Sequence, residues 1–329
     1  MSGEMRTFAG RRDKKSKVMK VTLIQMDIVW EAPEVNCKTA ERLMRSAEKS
    51  DVYVLPEMWN TGVTTEPQRV APIPAPLALR RTESSPIAPL PTGDCPEEEG
   101  SSSLQWMQRM ANELDAAVVG SIAVASPLPC LRRKLPNCSA INEQLPPLGE
   151  CSYRNRLYFV MPQETVKRTL PQEFVNCKSS NCKFYDKHHL FAYGGETKNY
   201  TPGNEYVTVE WRGVRFHLCV CYDLRFPLWL RNRDDYDVLI CVASWPAVRL
   251  HAWNVLLQAR AIENQCYVLG VNRIGKDPYC EYCGGTSVVD FYGMATSCPD
   301  GEASVLTQIL DLKRLKAFRE KFPVLKERD

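Results

Sequence analysis

Apolar and polar positions alternate from Val18 to Asp27, and Val21 to Asp27 reads as a buried strand. Cys37, Ala40, Leu43, Met44 and Ala47 then recur at helical spacing, with Asn36 placed to cap the helix. Val52-Tyr53-Val54-Leu55 predicts a second strand that stops at Pro56-Glu57. Leu104, Met107, Ala111 and Leu114 mark another helix, followed by strands at Ala116 to Ala125 and Arg156 to Met161. Lys183 to Asp186 has the length and pattern of a hairpin partner for the latter. Farther on, Val214, Phe216, Leu218 and Val220 alternate with Arg215, His217, Cys219 and Cys221. Asp237 to Ala243 is an uninterrupted apolar run, typical of a sheet covered on both faces. A helix from about Leu250 to Asn264 leads into the strand Cys266 to Asn272. Thr286 to Phe291 and Ser304 to Leu310 are further strands, with Tyr292-Gly293 as a turn. Strand–helix alternation mixed with hairpins predicts an α/β protein with mixed sheets in helix-covered layers.

Three segments break the pattern. Residues 69–103 carry seven prolines and the acidic run Glu97-Glu98-Glu99, residues 126–151 carry five prolines, and residues 168–182 are polar without periodicity. Structureless stretches beyond about 15 residues are uncommon inside compact domains. They read as insertions near 69–103, 126–151 and 168–182 into one domain spanning 18–322, after a basic tail at 1–17. Composition adds little to that picture. The chain has 329 residues, 44% hydrophobic and 25% charged, with a net charge of +3, ordinary for a soluble globular protein. The run Arg11 to Lys17 has no interleaved aromatics to stack on bases, so no nucleic-acid partner is expected. No apolar stretch approaches the ~20 residues that span a bilayer, and no signal-type apolar core follows the N-terminal charges. A cytoplasmic location with reduced thiols is the expectation, although the chain holds 14 cysteines. Cys280-Glu281-Tyr282-Cys283 has zinc-knuckle spacing, but no second such pair follows and only 4 histidines are present, so no metal or other cofactor is expected.

Candidate chemistry sits at strand ends. Cys221 closes the strand from Val214, and Asp223 with Pro227 marks a helix start directly after it. A thiol at such an elbow lies near the positive end of a helix dipole, which favours its thiolate. An isolated free cysteine is more often a small buried hydrophobe, so the case needs partners. Glu57 ends one strand and Lys187 follows another. A carboxylate can take the thiol proton, while an ammonium can lower the thiol pKa and stabilise an oxyanion. Cys219 is an internal rival two residues away, and strand spacing alone puts both thiols on one face. The strand end distinguishes Cys221, because deeper burial raises a thiol pKa.

Three motifs in order, Leu55-Pro56-Glu57-Met58, Tyr185-Asp186-Lys187-His188-His189-Leu190-Phe191 and Cys221-Tyr222-Asp223-Leu224-Arg225-Phe226-Pro227, make the chain resemble the nitrilase (carbon–nitrogen hydrolase) superfamily. The resemblance implies a four-layer α-β-β-α sandwich, a catalytic triad of Glu57, Lys187 and Cys221, a supporting Glu196, and assembly as a homodimer. Trp245-Pro246, Arg249 and the run Leu257 to Gln265 are similar to the omega-amidase branch, which includes 2-oxoglutaramate amidases. Ser244 stands where close relatives in that branch usually place asparagine. The activity implied is hydrolysis of the terminal amide of a small 2-oxo acid amide through a cysteine thioester. In that chemistry the Tyr222 N–H helps hold the oxyanion, and Trp245, Arg249 and Arg225 are candidates to read the far end of the substrate. Arg225 has an alternative as a partner of Asp223 or Glu57. The rival readings are a nitrilase or N-carbamoyl hydrolase activity, and a scaffold impaired by the insertions.

Overall fold

The computed structural model describes residues 18–71, 102–127, 151–163 and 181–327. The strands are β1 (Val18–Gln25), β2 (Val52–Val54), β3 (Ala117–Pro127), β4 (Cys151–Val160), β5 (Cys182–Asp186), β6 (Thr208–Trp211), β7 (Val214–Val220), β8 (Val238–Val242), β9 (Tyr267–Val271), β10 (Ile274–Lys276), β11 (Glu281–Cys283), β12 (Ser287–Val289), β13 (Ala295–Ser297) and β14 (Ser304–Asp311). The helices longer than one turn are α1 (Pro33–Ser46), α2 (Ser102–Leu114), α3 (Leu250–Glu263) and α4 (Leu312–Lys321). Two six-stranded sheets form, ordered β14-β1-β2-β3-β4-β5 and β13-β12-β9-β8-β7-β6. β1–β2–β3 and β7–β8–β9 pair in parallel and are flanked by antiparallel partners.

The period of two decides the layering. Val21, Leu23, Val52 and Val54 of one sheet meet Phe216, Leu218, Val220 and Ile240 of the other in the core between the sheets. The alternate residues Ile24 and Tyr53 face Met44 of α1 and Met107 of α2. On the far side, Cys219, Leu239 and Cys241 face Trp253, Leu257 and Ala261 of α3. The order of layers is therefore α-β-β-α, the architecture expected. Each fully buried Val, Leu or Phe in these layers contributes about 1.5–3 kcal/mol relative to exposure. Among the described residues, no helix is long and apolar enough to cross a membrane.

Several local expectations are corrected. Asn36 does not cap α1: the N-cap is Ala32, with Pro33 in the first turn. The buried Asn36 amide instead ties the chain before the helix, accepting from Val29 N and donating to the carbonyls of Val29 and Asn60. No long helix follows Cys221. Only a 3₁₀ turn, Cys221–Arg225, forms there. The cause is Pro227, which disfavours helical geometry at the residue before it, and Phe226 sits at φ −113°, ψ 88°. The Tyr292-Gly293 turn does close a hairpin, but its return strand β13 carries no alternation to predict it. β6, α4 and the short β10–β11 hairpin were likewise not foreseen.

Most of the three irregular segments lies outside the described residues. Their flanks are informative. β3 and β4 pair in antiparallel register out to Pro127 opposite Cys151. β4 and β5 pair out to Val160 opposite Cys182. The chain thus leaves and re-enters the sheet at adjacent points in both places, where added length costs the sheet no pairing; loop-closure entropy grows by only about 0.6 kcal/mol per doubling. The edges of these stretches are regular: β3 and β4 run through 126–127 and 151, and α2 begins at Ser102.

Candidate active site

Two strand ends converge over the edge of the inter-sheet core. After β2 the chain turns through Met58, which has φ +42°, and the turn is pinned by the Ser121 hydroxyl accepting from Met58 N at 2.9 Å. After β7 it turns through Cys221, which has φ +47°. A positive φ at a residue with a Cβ is strained and persists only when its surroundings over-determine it. At Cys221 that work falls to Asp223. Its buried carboxylate accepts from Val220 N at 3.0 Å, the Tyr185 hydroxyl at 2.8 Å and His189 N at 2.8 Å. His189 adds an Nδ1 contact at 2.9 Å and stacks on Phe226. Asp223 is therefore occupied by these groups rather than by Arg225.

The turn at Cys221 also gives the two cysteines different surroundings. Cys219 keeps the strand alternation and packs into the layer beneath α3, in one cluster with Cys241. The left-handed residue breaks that alternation, so Cys221 lines a cleft with Glu57, Lys187 and Glu196 instead.

Lys187 follows β5, where Arg156 holds Asp186 in a two-pronged pair at 2.6 and 3.1 Å. Gly203 N donates to Lys187 O at 2.9 Å, and a side chain at Gly203 would lie 2.3 Å from Asp186 O. The Lys187 Nζ donates to Glu57 Oε1 at 2.9 Å and reaches Glu196 Oε2 at 2.9 Å. All three charged groups are buried, at 1% exposure for Glu57, 2% for Lys187 and 4% for Glu196. Glu57 Oε2 accepts from Ser244 N at 2.9 Å. Because that bond comes from the backbone, the serine in place of asparagine leaves it intact. Glu196 Oε2 also accepts from Phe191 N at 2.7 Å. One contributor escaped the sequence reading: Asn155 of β4 donates to Glu57 Oε1 at 2.8 Å and to Glu196 Oε1 at 3.2 Å.

The electrostatics fix the resting protonation. Burial works against the Lys187 charge, but the Glu196 and Glu57 carboxylates outweigh it and hold its pKa well above the ordinary value. Burial, reinforced by the Glu57 charge, pushes the Cys221 thiol well above its ordinary value despite Lys187. The expectation of a dipole-stabilised thiolate is thus corrected: there is no long helix, and the resting group is a neutral thiol facing a carboxylate. Thiolate ultraviolet absorbance lost in Cys221→Ala should accordingly appear only above about pH 9, the ordinary thiol value. Such absorbance at neutral pH would contradict this assignment.

The cleft encloses about 820 Å³ including its open mouth. Tyr222, Arg225, Ser244, Trp245, Arg249, Phe191, Thr64 and Thr65 are among the residues that line it. Trp245 is clasped by Asn272, which accepts from its N–H at 2.7 Å and donates to its carbonyl at 3.0 Å. Arg225 lies over the Trp245 ring at 4.9 Å and Arg249 over the Phe191 ring at 5.6 Å. Neither guanidinium has an acidic partner among the described residues. The β10–β11 hairpin supplies the outer wall through Asp277, Tyr279, Cys280 and Tyr282. The Cys280-to-Cys283 spacing thus belongs to the turn and second strand of that hairpin.

A thiol, a carboxylate and an ammonium thus meet at the edge of an α-β-β-α sandwich. The carbon-nitrogen hydrolase family model matches residues 20–320, and the chain belongs to that family. Among named relatives, the omega-amidase YafV of Yersinia enterocolitica is 34% identical over 94% of this chain and 97% of its own length. The 2-oxoglutaramate amidase of Bacillus subtilis is 28% identical, covering 92% of this chain and 95% of its own. A solved carbon–nitrogen hydrolase superfamily protein from Xanthomonas campestris, with an arsenic adduct in its active site, superposes with a TM-score of 0.69 at 29% identity, covering 95% of this chain and 98% of its own. The protein is a carbon–nitrogen hydrolase.

Proposed function

We propose that this enzyme is an omega-amidase, hydrolysing the terminal amide of a small 2-oxo acid amide with Glu57, Lys187 and Cys221 as its catalytic triad. Glu57 takes the Cys221 proton as sulfur attacks the amide carbon. Lys187 Nζ and the Tyr222 N–H hold the tetrahedral oxyanion. Tyr222 is the second residue of a five-residue turn, so its N–H falls among those without an acceptor inside the turn. Each such donor is worth about 3 kcal/mol, roughly a hundredfold in rate. Collapse breaks the C–N bond, and Glu57 returns the proton to the departing ammonia. Glu57 then takes a proton from water as that water attacks the thioester, releasing the acid and restoring the thiol. Glu196 keeps Lys187 aimed at the cleft.

The observation that carries this reading is a Glu57 carboxylate bonded to Lys187 and lining one cleft with Cys221, a cleft that also offers two guanidiniums. The relatives named for amide hydrolysis support the same reaction class. Ammonia release from a panel tests it: a 2-oxo acid monoamide, a neutral amide, a nitrile and an N-carbamoyl amino acid. Release from the first well ahead of the rest supports the reading, whereas preference for the nitrile or carbamoyl compound replaces it. Silence on all four supports the impaired scaffold.

Arg249, with Arg225 second, is assigned to the free carboxylate of the substrate, since a guanidinium pairs with carboxylate in two-pronged fashion. Arg249→Ala should raise KM for carboxylate-bearing amides about 10- to 100-fold, the loss of a charged hydrogen-bonded pair. A neutral amide should be nearly unaffected. Equal losses on both substrate types in Arg249→Ala and Arg225→Ala would refute the clamp. The resemblance also implies a homodimer, and the sequence reading places the protein in the cytoplasm. Sedimentation and cell fractionation address those two points.

A further inference from the structure

β4 carries a residue that touches every charged member of the site yet belongs to none of the three motifs. Asn155 shares the inter-sheet face with Leu157 and Phe159 and is 1% exposed. Its Nδ2 donates to Glu57 Oε1 at 2.8 Å and to Glu196 Oε1 at 3.2 Å. Its main-chain carbonyl accepts from Lys187 N at 2.9 Å. We infer that Asn155 is a positioning residue, an amide clip that sets the two carboxylates at the distance where one lysine bridges them and Glu57 can accept the thiol proton. The inference rests on the reading of Glu57 as that acceptor.

The amide orientation is dictated by its neighbours. Turned over, the oxygen would face two carboxylate oxygens; as placed, both N–H groups are used. The Oδ1 atom is buried without a hydrogen-bond partner. A buried polar atom left unpaired is a cost that packing alone gives no reason to bear. It is the consequence of committing the donor end to the two glutamates. Without the Asn155 donor, Glu57 is held only by Lys187 and the Ser244 N–H and is free to shift away from the thiol. The groups that face Glu57 are Lys187, Glu196, Cys221 and the Ser244 N–H, with Tyr200 close enough to feel the charges.

Two variants separate positioning from packing. Asn155→Leu keeps the volume and removes both donors, while Asn155→Asp keeps the shape and sets a third carboxylate against the pair. The readout is alkylation of Cys221 by iodoacetamide across pH, mapped by mass spectrometry, together with steady-state kinetics. In wild type, absence of alkylation at Cys221 would count against the triad itself, which keeps that failure distinct. Both variants should lower kcat at least tenfold with KM within about threefold, Asn155→Asp more severely. In Asn155→Leu, alkylation of Cys221 at neutral pH should slow at least about threefold because the acceptor is displaced from the thiol, which a purely structural role in a folded protein does not produce. If Asn155→Leu is insoluble, Asn155→Asp carries both tests. Wild-type alkylation of Cys221 in a folded Asn155→Leu, or kcat within twofold of wild type in Asn155→Asp, overturns the inference.

Discussion

Cys221→Ala should abolish turnover and acyl-enzyme formation, a loss on the order of 10⁴-fold or more in kcat, while Cys219→Ala should leave both largely intact. The asymmetry follows from the backbone at Cys221. Its positive φ takes the thiol out of the strand alternation and into the cleft beside Glu57, whereas Cys219 stays under α3 against Cys241. Burial raises both thiols, so acidity does not distinguish them; access to a proton acceptor does. Mass spectrometry of quenched enzyme with an ester or hydroxamate substrate gives the answer. An acyl group mapped to Cys219, or turnover surviving in Cys221→Ala, would overturn the assignment.

Lys187→Met should lower both rate and stability. In the proposed mechanism it removes an oxyanion donor, about a hundredfold in kcat. It also leaves Glu57 and Glu196 buried with no cation between them, and breaking a buried ion pair in this way costs about 3–5 kcal/mol. Against a total stability of roughly 5–15 kcal/mol, that is a large share. Because the folded pKa of Lys187 is raised, its contribution is fully present below about pH 10.5 and is lost only as pH rises through the raised value. Urea unfolding at neutral pH therefore shows the whole difference. Adding Glu196→Gln to Lys187→Met should recover part of it. A single variant within about 1 kcal/mol of wild type, the range of exposed pairs, would show that the lysine is not the counterion the geometry makes it.

The positions of the three candidates were legible because each follows a strand that the sequence announces: a short apolar run before Glu57, a hairpin partner before Lys187 and alternation before Cys221. The layers were legible for the same reason, since period two assigns each side chain to the inter-sheet or helix-facing core. What stayed hidden has physical causes. Asn155 occupies an inner-face position of β4 between arginines, where one polar residue reads as an interruption, and only the fold brings it to Glu57 and Glu196. The β10–β11 wall is built from strands of three residues each, too short for a period to show. The helix expected after Cys221 was read from its start signal, without weighing that Pro227 restricts Phe226.

The left-handed turn at Cys221 sets chemistry against comfort at a single position. Glycine accepts that backbone without the Cβ penalty of about 1–2 kcal/mol, so the residue best suited to the turn is chemically silent. Any redesign or selection that scores this chain for thermal robustness alone will drift toward Cys221→Gly and return a sturdier, inert protein. Reactivity has to be scored at this site in its own right, because the fold gives no reason to keep sulfur there.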